Sequence, residues 1–135
     1  MECRNIRKKV KKPLQSFKDK RGSIIDIFYK KKIDHVAIID SKPNALRGNH
    51  YHKKTIQHML ITEGSLEYWY KPLKKNTKVK KKILKVGDLV STPPYEIHAL
   101  KISKKGNQFI VFSEGIRGGK DYEADTFRVP SIIND

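Results

Sequence analysis

A chain of 135 residues with 30 Lys and Arg against 14 Asp and Glu carries a formal charge of +16 at neutral pH. That length supports one domain with a real core and excludes two. A single cysteine excludes a disulfide framework and a Zn-ribbon spacing, and no run reaches the ~18 apolar residues of a membrane span.

The first residues are basic but lack the apolar run of a signal peptide, so the sequence reads as a soluble protein of a reducing, cytoplasmic compartment. So positive a balance favours anionic partners. The lysines are nevertheless spread along the chain, form no basic helix and do not interleave with aromatics, which argues against nucleic acid.

Residues 1–16 are expected to be a loose basic segment, 17–130 a single domain, and 131–135 a tail. The first β-type run, 23–28, follows Arg21-Gly22, and the next, 36–40, ends at Ser41-Lys42-Pro43-Asn44. Runs at 46–52 and 57–62 follow, and Glu63-Gly64 predicts a hairpin turn into 65–71. Pro72 and Lys74-Lys75-Asn76 break the pattern; 77–85 resumes it, with Val79 and Ile83 expected on one face. After the turn at Val86-Gly87-Asp88 come runs at 89–92, 97–102 and 108–113. No window has a helical apolar period. Short strands divided by turn signals predict an all-β fold, and rolling them into a double-sheet jelly-roll barrel avoids long open edges.

Chemistry concentrates between Arg47 and Gln57. His50 and His52 flank Tyr51, so on a strand both imidazoles point to one face and the tyrosine to the other. With Gln57 and the later His98, three imidazoles and an amide can meet in the barrel mouth. His35 and His58 fall outside this set; His58 alternates away from Gln57 and reads as a surface or supporting residue. Trp69, Tyr68 and Tyr70 read first as barrel core.

These residues resemble the two cupin motifs. The first motif runs Gly, five residues, His-x-His, three or four residues, Glu, six residues, Gly; it is matched by His50, His52, Gln57 and Gly64, with Asn44 in the leading Gly position. The second is matched by Gly87, Pro93 and His98, with Tyr95 replacing its middle Gly and Ile102 its final Asn. The resemblance implies a cupin double-stranded β-helix. More narrowly, Arg47-Gly48-x-His50 resembles the motif of dTDP-4-dehydrorhamnose 3,5-epimerases, and Arg47-Gly48-x-His50-x-His52-Lys53 with Gln57 that of cupin nucleotide-sugar 3,4-ketoisomerases. Asp19-x-Arg21-Gly22 resembles the N-terminal Asp-x-Arg-Gly common to both, and the ending Tyr122-Glu123-x-Asp125-Thr126-x-Arg128-Val129 is similar to the tail of small cupins of polysaccharide biosynthesis.

By this likeness the ligand is a nucleotide-linked keto-sugar and the reaction an epimerisation or ketoisomerisation. The proton α to a keto group is acidic, and moving it needs a base effective near neutrality, which imidazole supplies. The resemblance makes His50 the base, with His52 as partner or proton shuttle. Tyr68, Tyr70 or Tyr95 is the candidate acid. Arg47 or Lys53 is expected to hold the diphosphate or the developing oxyanion.

The same positions also form a metal set. His50, His52 and His98 are nitrogen ligands and Gln57 an oxygen ligand, suited to Zn, Fe, Ni, Co or Mn. That alternative is a metal-dependent cupin isomerase, lyase or dioxygenase; a third is a cupin that binds sugar without chemistry. The polar tail containing Glu114, Arg117 and Asp121–Asp125 is a candidate cover for the barrel mouth or a candidate contact with a second subunit. Small cupins commonly pair, so a homodimer is expected, with 24–28 as a candidate contact.

Overall fold

The computed structural model describes residues 1–115, 118–121 and 123–134. Two long strands organise it: β6 (Ile56–Pro72) and β9 (Glu96–Glu114), antiparallel along their whole length. Each is bent in the middle, so the pair contributes to both layers of a double sheet. One layer runs β4 (His35–Ser41), the second half of β9, the first half of β6, β8 (Asp88–Thr92) and β1 (Glu2–Asn5). The other runs β10 (Phe127–Arg128), β5 (Leu46–Tyr51), the first half of β9, the second half of β6 and β7 (Lys80–Lys85). A hairpin of β2 (Ser16–Asp19) and β3 (Gly22–Ile25) stands apart as its own sheet, with Phe17 and Ile24 exposed.

The expected hairpin at Glu63-Gly64 is instead this bend. Register shifts flank Gly64, whose backbone is left-handed (φ +69) and packs so closely on the Gly106 carbonyl that a Cβ would collide with it. Gly106 is left-handed as well, and there 97–102 and 108–113 join into one strand. Local turn chemistry was read correctly as a change of direction; the pairing of β6 with β9 on both sides of it makes that change a corner.

Two further expectations change. Residues 1–16 are not wholly loose, because β1 pairs with β8 and Met1 and Cys3 pack against the core. In β7 the inward residue is Leu84, fully buried opposite Leu66, whereas Ile83 is exposed and Val79 precedes the strand. Adjacent Ile83 and Leu84 make the alternation ambiguous in sequence, and pairing with β6 resolves it. The core between the layers is built from Met59, Leu66, Leu84, Val90, Leu100, Ile102, Phe109 and Val111. No helix among the described residues is long and apolar enough to cross a membrane.

Candidate active site

His50 near the end of β5, His52 just beyond it, and His98 on β9 converge between the layers. All three are buried, and their candidate ligand nitrogens lie within 4.8 Å of one another. The His50 ring is 4.9 Å from that of His52 and 4.7 Å from that of His98, the latter edge-on. Both histidines of the His50-x-His52 pair thus face the cluster, as expected, although the strand ends between them at Tyr51.

A β-bulge completes the arrangement. Arg47 pairs with Leu100 and His50 with His98, so Asn49 is the extra residue, held in a left-handed conformation at φ 58. Leu100 and His98 share a face of β9; the bulge therefore brings Arg47 to the same face as His50, three residues away. Arg47 Nε donates to Ser41 Oγ at 2.7 Å and its Nη2 to the Asp40 carbonyl at 3.1 Å, which aims the guanidinium along the mouth. A cleft of about 290 Å³ opens here, walled by Arg47, Asn49, His50 and His98 on one side and Ile39, Gln57, Met59 and Phe109 on the other, with Glu123 and Arg128 also lining it.

Backbone carbonyls fix two of the imidazoles. His52 Nδ1–H donates to the Asp125 carbonyl at 2.7 Å, and His98 Nδ1–H to the Glu96 carbonyl at 3.1 Å. A carbonyl can only accept, so each bond assigns its Nδ1 the proton. His52 Nε2 lies 3.1 Å from Gln57 Oε1; a neutral His52 then takes its hydrogen bond from the Gln57 amide nitrogen, with the amide turned accordingly.

The Asp125 side chain serves the same loop. Its carboxylate accepts the backbone N–H groups of Lys53, Lys54 and Thr55 at 3.0, 2.8 and 2.8 Å. Desolvation raises its pKa, but these donors outweigh it and bring the value down to about 2.

The profile of the polysaccharide biosynthesis C-terminal domain family matches residues 17–114, most of the chain. The chain belongs to this family. No curated protein matches it in sequence. Its fold is shared with dTDP-4-dehydrorhamnose 3,5-epimerase from Elizabethkingia anophelis at 18% identity and a TM-score of 0.65, over 81% of this chain and 74% of that one. The sugar 3,4-ketoisomerase QdtA from Thermoanaerobacterium thermosaccharolyticum, in complex with TDP, aligns at 20% identity and a TM-score of 0.66, over 86% and 84%. The capsular polysaccharide assembling protein CapF from Staphylococcus aureus aligns at 19% and 0.63, over 88% of this chain but 33% of that one, so this member of the family spans about a third of CapF. At such identities the likeness is one of fold, and it establishes the cupin architecture implied by the motifs.

Within this cupin the expected substrate residues separate. None of Tyr68, Tyr70 and Tyr95 lines the cleft. Tyr68 is fully buried, stacked on His98 at 6.3 Å, with its hydroxyl bonded to Thr92 Oγ1 and to Glu96 Oε1. Burial, reinforced by the Glu96 carboxylate, pushes its phenol well above the usual value. Tyr70 packs against Tyr68 and the core. Tyr95 lies outside, stacked on Tyr51, itself stacked on Phe127; the Lys53 ammonium sits 4.3 Å over Phe127 rather than in the cleft. His52 is buried behind the cleft wall.

Glu123, part of the expected polar cover, and Arg128, given no role in the sequence reading, line the cleft, paired at 2.9 Å. β10 brings them there by pairing Phe127 with Tyr51 and Arg128 with His50. Their signal was the polar ending, of which Glu123 reaches the mouth while Glu114 lies on the outer face of the sheet; Arg117 and Tyr122 of that ending lie outside the described residues. Two of the motif departures also acquire a reason. Asn44 and Tyr95 stand in glycine positions, and both keep the left-handed backbone, at φ 61 and 63.

Proposed function

We propose that this chain isomerises a nucleotide-linked 4-keto sugar by proton transfer, and that the finer reaction is 3,4-ketoisomerisation. The observation that carries this reading is the placement of His50 and His98, side by side on one wall of an open-mouthed cleft with two arginines lining it. The volume suits a sugar ring, and Arg47 and Arg128 suit a diphosphate lying along the mouth. The fold neighbours named for epimerase and ketoisomerase activities support the substrate class.

In the proposed step, His50 takes the C3 proton, the C–H electron pair forms the enediol double bond, and the C4 carbonyl becomes an enediolate oxygen. His50 then returns the proton to C4 on the same face, while His98 relays the O3 hydroxyl proton to O4. The carbonyl has moved from C4 to C3 with no net change in atoms. Epimerisation needs a donor on the opposite face, where the described wall residues Gln57, Met59 and Phe109 offer no acid. That asymmetry favours the ketoisomerase. Incubation with dTDP-4-keto-6-deoxyglucose in D2O, followed by NMR, tests it: deuterium should enter at C4 of the product and at C3 of substrate re-formed by the reverse reaction, and His50→Asn should abolish exchange while remaining folded. A fully active His50→Asn protein removes the mechanism.

A second reading uses the same imidazoles as ligands. The Nδ1–H bonds of His52 and His98 to backbone carbonyls direct each Nε2 lone pair inward, the support that metal-ligating histidines usually have. Zn, Fe, Ni, Co or Mn fits His50, His52 and His98, with Gln57 beside them, and when bound supplies Lewis-acid polarisation of a carbonyl oxygen. Metal content per chain, measured beside His98→Ala, decides between the readings.

A further inference from the structure

On the outer face of the first layer lies a polar row that the sugar reaction does not use. His58 follows Gln57 on β6 and points the opposite way, so the row is separated from the cleft by the thickness of the sheet. His58 faces Ser91 directly across the β6–β8 pairing, and Glu114 lies diagonally from it on β9. Its Nε2 is 2.7 Å from Glu114 Oε2 and its Nδ1 is 2.6 Å from Ser91 Oγ. Of the two expectations for His58, surface or supporting, the surface one fails: the residue is buried, its ring covered by Phe28 at 4.8 Å.

Hydrogen-bond chemistry orients the row. The Glu114 carboxylate accepts, so His58 Nε2 carries the proton; Nδ1 then presents its lone pair and takes the Ser91 hydroxyl proton as acceptor. This is a hydroxyl aimed at a base whose other nitrogen is held by a carboxylate, the arrangement that activates a serine nucleophile. Here the two ring nitrogens exchange their usual duties. Ser91 is half-buried and opens into a cleft of about 440 Å³ between the sheet and the N-terminal segment. Leu14, Ile27 and Leu89 give this cleft an apolar lining, and Arg4, Lys11 and Lys31 give it positive charge. Lys31 Nζ lies 4.0 Å from Glu114 Oε2, which places a cation beside the row.

We propose that Ser91, His58 and Glu114 form a second, hydrolytic site that cleaves a small ester bearing an anionic group. Ser91 Oγ attacks the ester carbonyl carbon as its proton passes to His58 Nδ1. The carbon–alkoxy bond breaks, and the alcohol leaves with that proton. Water then attacks the acyl-serine, giving its proton to His58, and the acid departs as Ser91 Oγ recovers the proton. Ester and water yield acid and alcohol. The apolar lining takes the acyl chain and the cations the anionic group.

The test is labelling of the intact protein with a fluorophosphonate, followed by peptide mass mapping, beside hydrolysis of 4-nitrophenyl acetate and the 4-nitrophenyl monoester of succinate. An adduct is expected on Ser91, at least tenfold slower to form in His58→Gln, and hydrolysis is expected to disappear in Ser91→Ala. The succinate monoester should react at least tenfold faster than the acetate; equal rates overturn the anionic preference. No adduct on Ser91, or an adduct formed as fast in His58→Gln, overturns the site. If His58→Gln fails to fold by circular dichroism, Glu114→Gln carries the same comparison, with labelling slowed at least threefold.

Discussion

Asp125→Asn isolates the anchor beneath the cluster. The substitution keeps the shape and an acceptor oxygen but removes the charge that three backbone N–H groups hold. Lowering the carboxyl from its ordinary 3.8 to about 2 corresponds to a ceiling of about 2.4 kcal/mol at neutral pH. Asp125 is near the surface, and solvent screening reduces this to about 1 kcal/mol. For a domain of this size that is a fall in melting temperature of roughly 3–6 °C. The sign follows from the depressed value: the contribution is complete above about pH 4 and is lost as pH falls toward about 2. Thermal melts of both proteins between pH 7 and pH 3 should show a gap that narrows to about half at pH 3. Amide exchange at Lys53, Lys54 and Thr55 should also accelerate. Equal melting at pH 7, or a gap independent of pH, refutes the reasoning. The backbone carbonyl that fixes His52 is unchanged in this variant, so loop anchoring is separated from imidazole orientation.

Other consequences are direct. Gly64→Ala places a Cβ against the Gly106 carbonyl at a left-handed position and should cost on the order of 3 kcal/mol, read as a lowered urea midpoint. Tyr68→Phe removes a buried hydroxyl bonded to Thr92 and Glu96 and should cost about 1–2 kcal/mol while isomerase turnover persists; a hundredfold loss of turnover in folded protein would make Tyr68 the acid. If the histidines hold a metal, plasma mass spectrometry should find near-stoichiometric content that disappears in His98→Ala; equal content in both proteins removes His98 from the ligand set.

The sequence made the chemistry more legible than the path of the chain. His50 and His52 could be placed on one face because alternation is a local property of a strand. Asn44 and Tyr95 disguised two glycine positions, yet the surrounding spacing survived, since such positions specify a backbone conformation that the occupants can still adopt. The face of Arg47 was hidden by the bulge at Asn49, which depends on pairing with β9. The corner at Gly64 and the inward choice of Leu84 were hidden for the same reason, because each depends on a neighbour distant in sequence. The tyrosines were candidates by chemistry alone; the burial of Tyr68, the packing of Tyr70 against it and the outward turn at Tyr95 keep them from the cleft.

β1 and β10 end the continuous strand order, so both termini act as selvedges on a woven sheet. Trimming the protein to its family-matched span of residues 17–114 would strip both, baring main-chain donors and acceptors along β8 and β5. Bare edges recruit strands from other molecules. A minimal version would therefore become adhesive and also lose the packing of Met1 and Cys3 and the Asp125 anchor, and expression tags belong beyond these strands.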